Sequence, residues 1–534
     1  MAEVRDRAVA RAGDDAIART GRGQPSRRTV TVVIVLATAV AGVLVMTGLG
    51  SKSLVRDEVA SYTIAAMPWP VFVDDVLSES FNSGLFYLFL RSVVPLSTEE
   101  WALRLQPAIA FIATVPVLIV CAWHQLGRRQ AVAVAVLVAA QPFLVRTGQF
   151  ARGYATLVLL SIVAAWLFDA AVLEGRRRTW LAYAAVVGVC IYIHLFIVFF
   201  VLAQVATLRL VRDRLRTTHL WLAALVVVTL WAPMLYLALT RHRAQISYLD
   251  APPVTQLGRT AVLFAGSIPL FLALAPLVGW SLWRWFGPCQ GGGTVSERLA
   301  SDVALWRRLV LAVTMTAPAL IVWLTSYAVP MYASQYFVAS LPPMLLLAAD
   351  GLAGIDGVRA SAASRWAGID GHRVWVGALA GLLVLSLIPT MRYLRAGFEQ
   401  EDIRAAVRLV ADRGDGDDAL VFMPAHARVG FRYYRMVEPR EDVPVDVAQL
   451  DATDPVLWRP ERSPAEVARR LAAHRDVWLV GYPGDDWHPS APVMKQVHAD
   501  CLVPGFDRTS DTEFGELHVI RWVRRPAAAT ACAG

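Results

Sequence analysis

Long apolar runs separated by short basic clusters set the pattern of the chain. The first run, Thr29–Leu49, is long enough to cross a ~30 Å hydrocarbon core as a helix. Further runs lie at roughly 103–124, 131–146, 154–173, 180–193, 195–211, 219–240, 260–283, 309–329, 336–350 and 374–390. Charge, Pro or Gly bounds each of them, so the pattern predicts an all-α polytopic body of about 11 transmembrane helices. Residues 1–28 are too long and arginine-rich for a cleavable leader; they read as a cytoplasmic, disordered basic tail before an anchor that is retained.

One apolar stretch does not fit. Residues 83–97 contain Arg91 and Pro95 and are short for a crossing. If they do not cross, the basic segments 1–28, Arg128-Arg129, Arg176-Arg177-Arg178, Arg212-Arg214-Arg216, Trp283–Arg308 and Gly351–Arg373 share one side, as positively charged cytoplasmic loops should. The stretch is therefore expected as a juxtamembrane helix in the outer interface. The outward parts become Gly50–Glu100, Thr147–Gly153, a tight hairpin near His194, Arg241–Arg259, Tyr327–Gln335 and everything after about Met391.

At residue 391 the pattern changes. Short β-like runs (418–424, 476–482, 517–523) alternate with helical patterns at 403–413 and 464–475. Residues 391–534 hold 19 Lys/Arg against 23 Asp/Glu. A C-terminal exoplasmic α/β domain is predicted beyond the body at 29–390. Residues 284–308, with Gly291–Gly293, read as a flexible cytoplasmic linker.

Composition agrees with a membrane protein: 56% hydrophobic, 18% charged, mean hydropathy +0.48. The net charge of +8 resides in loop clusters rather than in a phosphate-binding stripe, so no nucleic-acid partner is expected. Five cysteines in 534 residues form no disulfide framework. Cys501 and Cys532, both in the exoplasmic segment, are able to pair. No phosphate-binding glycine loop, nucleophile elbow, CxxC or HExxH occurs, which argues against nucleotide-driven chemistry.

The outer loops hold the candidate chemistry. Arg56-Asp57-Glu58 places two adjacent carboxylates at the membrane surface, where charge is costly unless used. Asp57 as a general base with Glu58 orienting it or holding a cation is one reading; a solvated acidic loop paired with Arg56 is the other. In Arg146–Tyr154 (RTGQFARGY), two arginines face outward, suited to a lipid phosphate or to plain interfacial snorkelling. Arg241, His242 and Arg243 repeat the theme. His194 at a hairpin tip suits a metal, a sugar hydroxyl or a structural use, and aromatic residues such as Tyr87 and Tyr336 suit sugar stacking or an interfacial belt.

The early Asp-Glu pair, GLFYLFLRSVV (84–94) before WALRLQPAIA (101–110), then QFARGY (149–154), IYIHLF (191–196) and QYFVASLPPMLLLAA (335–349) together resemble the GT-C superfamily of integral-membrane glycosyltransferases. Within it they resemble the bacterial relatives of dolichyl-phosphate-mannose protein mannosyltransferases, over roughly residues 30–400. The resemblance implies inverting transfer of a sugar, mannose first and arabinose second, from a polyprenyl-phosphate donor. The acceptor is a hydroxyl of a glycolipid, polysaccharide or protein at the outer face of the cell membrane. It implies Asp57 as base and Glu58 as its companion. It places Gln149, Arg152, Tyr154, Arg241, Arg243, Tyr248, Gln335 and Tyr336 on the donor side, and Asn82, Tyr87 and His194 at the sugar or acceptor.

Three departures stand out. Asn82-Ser83 replaces a common His-Pro, Phe150 stands where relatives have an acid, and Gln335 replaces an arginine. No cofactor is then expected, and a divalent metal is doubtful. Two rival classes remain: a lipid-linked sugar flippase, which would carry ionisable groups near the midplane, and a non-catalytic scaffold binding cell-envelope polymer.

Overall fold

The computed structural model describes residues 25–78, 80–246, 249–287, 302–358, 371–398, 400–440, 443–450, 461–482 and 491–526. Most of the tail 1–28, the centre of the 284–308 linker, Tyr248 and Cys532 lie outside the described residues.

The first membrane helix, α1 (Arg27–Met46), starts on a Ser26 side chain that accepts the Thr29 N–H at 3.0 Å. Three short helices follow: α2 (Arg56–Ala66), α3 (Trp69–Ser78) and α4 (Gly84–Val93). The body continues with α5 (Glu100–Gln125), α6 (Arg128–Ala139), α7 (Pro142–Gly148), α8 (Tyr154–Glu174), α9 (Arg177–Cys190), α10 (Ile197–Leu208) and α11 (Thr217–Ile246). It closes with α12 (Thr255–Ala265), α13 (Ile268–Phe286), α14 (Val303–Thr325), α15 (Leu341–Val358) and α16 (Gly371–Arg395).

Every apolar run read from the sequence is helical, but they are not equal spans. Among the described residues eight helices are long and apolar enough to cross, and α6 with α7, bent by 58°, makes a ninth. The helices α9 and α10 are shorter and meet at the His194 turn. The run 260–283 is broken at Gly266, and α11 continues to Ile246, into what the sequence suggested was loop.

The two breaks satisfy each other. Pro142 cannot donate, so the chain bends there; the Gln141 amide donates to the Phe264 carbonyl while its oxygen accepts the Leu144 N–H at 2.7 Å. The freed Ala140 carbonyl accepts Thr390 Oγ1 at 2.9 Å. Gly266, at φ +95°, lies so close to the Pro142 ring that a Cβ would come within 2.6 Å of it.

Residues 84–93 form α4, a short helix within the stretch expected not to cross. Arg91 donates to the carbonyls of Ala65 and Met67 at the end of α2 and lies over the rings of Trp69 and Phe72. This charge caps a neighbouring helix, consistent with an interfacial position.

The C-terminal part comprises α17 (Ile403–Arg413), β1 (Ala419–Met423), α18 (Ala427–Val437), β2 (Val445–Asp446), α19 (Pro464–Leu471), β3 (Asp476–Gly481), α20 (Ala491–Val497), β4 (Phe506–Phe514) and β5 (Leu517–Arg524). The sheet order is β2-β1-β3-β5-β4, parallel across the first three strands and antiparallel across the last three. One face packs on α19 and α20 through Val467, Leu471, Met494 and Val497. The other face is continuous with the segment between α1 and α5: Phe422, Phe431, Tyr434 and Trp478 share one core with Leu54, Val59, Tyr62, Phe86 and Leu90.

Candidate active site

The site forms where α2 starts. Val55, in the N-cap position, has no side chain able to cap, so the first turn takes its partners from elsewhere. Glu58 reaches back to the Val55 N–H at 3.1 Å and also accepts the Ala151 N–H at 2.8 Å. Its two oxygens are clamped by Arg104 Nε at 2.7 Å and Nη2 at 2.6 Å. Arg104 spends its remaining protons on the carbonyls of Leu49, Lys52 and Ser53. The pair is sealed, with side chains 4% and 1% exposed. Fully hydrogen-bonded, Glu58 ties the first outer loop, α5 and the 149–153 turn together.

Asp57, one residue earlier, points the other way. Its side chain is 48% exposed, and Arg152 Nη2 stands 3.7 Å from it, too long for a tight hydrogen bond. Arg152 is held by the Tyr87 hydroxyl, to which Nη1 donates at 2.7 Å, and more weakly by Ser61 Oγ at 3.4 Å. The Ala151 N–H on Glu58 fixes the turn that carries Arg152, so the sealed pair positions the open one.

Near Arg152 lies a cluster of aromatic rings in which His194 and Tyr154 are buried. The His194 ring packs 5.5 Å from Tyr154, 5.6 Å from Phe196 and 4.9 Å from Tyr336. In its turn outside the spans, burial, aided by the Arg152 charge, pushes the imidazole down to about 3, so it stays neutral. A neutral ring suits a hydrogen bond to a hydroxyl rather than to a phosphate. Gln335 precedes Tyr336 on the 3-10 segment Ser334–Ser340 and is half-buried.

Other sequence-predicted residues are engaged in scaffolding. Asn82 Oδ1 accepts the Leu195 N–H at 2.7 Å, tying the outer surface to the His194 hairpin. The Gln149 amide donates to the carbonyls of Val45 and Thr47, both at 2.8 Å, at the end of α1. The side chains of Arg241 and Arg243, like Tyr248, lie outside the described residues. No group of three or more His, Cys, Asp and Glu side chains able to hold a metal is found among the described residues.

Sequence reasoning missed Arg104, and with it the reason Glu58 is buried. The available signal was an arginine within an apolar run, which needs a carboxylate. It also missed the contributions of the C-terminal part. The Tyr434 hydroxyl accepts the Leu54 N–H at 2.7 Å and donates to Glu100 at 3.1 Å, Arg404 pairs with Glu100, and Glu401 accepts the Arg56 N–H.

The sequence profile of the family described as dolichyl-phosphate-mannose-protein mannosyltransferase matches residues 85–237. No curated protein matches the chain. Among solved structures, the fold is similar to ArnT from Cupriavidus metallidurans bound to undecaprenyl phosphate: TM-score 0.55, 15% identity, covering 91% of this chain and 97% of that one. ArnT in the apo state is similar at TM-score 0.56 and 15% identity, covering 92% and 98%.

Proposed function

From the premise that the chain has the fold of GT-C integral-membrane glycosyltransferases, we propose that it moves a sugar from a polyprenyl-phosphate donor to an acceptor hydroxyl at the outer face of the membrane. One observation carries the reading: a half-exposed carboxylate, Asp57, faces a held but incompletely paired guanidinium, Arg152, at the edge of the membrane body. A single inverting displacement at the anomeric carbon needs these two groups. Asp57 accepts the proton of the acceptor hydroxyl as its oxygen attacks, while Arg152 stabilises the charge gathering on the departing polyprenyl phosphate. Neutral His194 with Tyr154 and Tyr336 forms a sugar-facing surface. The reading invokes no nucleotide and no metal, since Glu58 is committed to Arg104.

Several observations support the details. The solved ArnT relative binds undecaprenyl phosphate, and the matching profile is that of mannosyltransferases, which makes mannose the first sugar to test. Outward placement of the C-terminal domain is supported by the basic clusters in the intervening loops and by the disulfide at Cys501, a bond that persists in oxidising compartments.

The test is release of polyprenyl phosphate from labelled polyprenyl-phosphate-mannose by the purified protein, with membrane extract as acceptor, for wild type and Asp57→Asn. Activity lost in the variant supports the reaction and its base together. Equal activity in both removes Asp57 from the chemistry. Inactivity of wild type across polyprenyl-phosphate sugars would sink the transferase reading in favour of a flippase or scaffold.

A further inference from the structure

Glu401 lies in the connection between α16 and α17, yet its carboxylate ends at the first turn of α2. There it accepts the backbone N–H of Arg56, the residue before Asp57. It is 1% exposed. The backbone around it is fixed from the far side by the tip of the β4–β5 hairpin. Glu401 bridges Gly515, the Asp402 N–H donates to the Phe514 carbonyl at 3.1 Å, and the Glu516 N–H donates to the Gln400 carbonyl at 3.0 Å. Gly515, at φ +72°, approaches so closely that a Cβ would come within 2.0 Å of the Gln400 oxygen. The carboxylate is thus presented on a segment pinned to the tip of the β4–β5 hairpin.

The helix has a specific need for it. Glu58 uses the Val55 N–H, and Val55 cannot cap from its own side chain, which leaves the Arg56 N–H to be met from outside. Glu401 supplies the missing acceptor from another domain and sets a carboxylate at the positive end of the helix. The position is not an easy one for a carboxylate: burial pushes Glu401 up to about 7, with Glu516 and Asp57 pushing the same way against Arg56. An acid held in such surroundings beside a reactive carboxylate fits a functional role better than simple packing. The neighbouring contacts fix the same segment, since Tyr434 holds Leu54 and the Arg404 N–H donates to Ser53 Oγ at 3.1 Å.

We propose that Glu401 is a positioning residue for transfer: by capping α2 from the exoplasmic domain, it sets the direction of the Asp57 carboxylate. The proposal rests on the reading of Asp57 as the base. It makes the exoplasmic domain part of the transfer machinery, in addition to any role in guiding the acceptor.

The experiment uses the full-length purified protein and labelled polyprenyl-phosphate-mannose, with kcat and donor KM measured for wild type, Glu401→Ala, Glu401→Gln, Glu401→Leu and Asp57→Asn. Glu401→Ala should lower kcat by about 10–10²-fold while leaving donor KM near wild type, because small displacements of a reacting group cost rate rather than ground-state binding. Glu401→Gln keeps an oxygen able to accept the Arg56 N–H and should restore kcat, which a mere loss of charge would not explain, whereas Glu401→Leu, similar in size but without an acceptor, should stay as slow as Glu401→Ala. Should Glu401→Ala retain wild-type kcat while Asp57→Asn is inactive, this proposal fails and the base survives. Equal loss in the Ala and Gln variants also overturns it, since the acceptor oxygen would then not be what matters. Full activity of Asp57→Asn removes the base reading, and this one with it.

Discussion

Two arginine–aspartate pairs stand at opposite ends of the membrane body, and they differ in almost every respect. At the end away from the C-terminal domain, Asp350 is fully buried. Arg308 grips it at 3.0 and 2.7 Å, Ser281 donates at 2.7 Å, Trp285 at 3.1 Å, and Arg284 stands at 3.4 Å. At the other end Asp57 has half its surface open and one arginine at 3.7 Å. The buried acid has partners for both oxygens and joins α13, α14 and α15 as a strut. In the proposed reaction the open one keeps lone pairs for the acceptor's proton. Satisfaction, rather than the mere presence of charge, separates scaffold from chemistry in this molecule.

The largest effect that would break the comparison is on Asp57. Asp57→Asn should reduce turnover by roughly 10²–10⁴-fold, the usual contribution of a general base, with thermal unfolding unchanged. Asp350→Asn should do the reverse, costing stability of about 3–5 kcal/mol by leaving buried cations uncompensated, so that the surviving folded fraction retains normal turnover per molecule. Detergent-solubilised unfolding curves and turnover per folded protein check both, and an exchange of the two outcomes would refute the distinction.

The same contrast sharpens at one helix turn. Arg152→Ala should raise donor KM about 10–10²-fold, the value of one charge-assisted contact, with the fold intact. Arg104→Ala should strand buried Glu58, release the Ala151 turn and lower stability and activity together. Donor titrations run beside unfolding curves separate the two; a stable Arg104→Ala protein with only a donor defect would contradict the assignment of Glu58 and Arg104 to scaffolding.

How much of this could be read beforehand follows from the range of the forces. Helices were legible because hydrophobic runs act locally, and β1, β3 and β5 because they are buried and apolar. The polar edge strand β4, Phe506–Phe514, was not read as a strand: its pairing with β5 is set by main-chain hydrogen bonds and not by its side chains. The break at Gly266 was missed because it depends on Pro142, more than a hundred residues away. At the site, Asp57, Glu58 and Arg152 stood out as outward charges. Their division of labour did not, since it depends on Arg104, 46 residues from Glu58, and on Glu401, 345 residues from Arg56.

The smallest predicted effect concerns that last contact and isolates its electrostatic cost. Glu401 has a folded value of about 7 against an ordinary 4.5, so the folded state holds its proton more tightly than the unfolded chain does. The resulting contribution to stability is fully present below pH 4.5 and is lost as pH rises through about 7. Glu461, also pushed up to about 7 by burial, adds to the same slope. Glu401→Gln mimics the protonated acid at every pH. Its unfolding temperature should therefore match wild type near pH 4.5 and exceed it by a few degrees at pH 8. A wild type that gains stability over the variant with rising pH would mean that the ionised carboxylate is favoured where it lies. In that case the cap would act by charge on the helix end rather than by its acceptor oxygen alone.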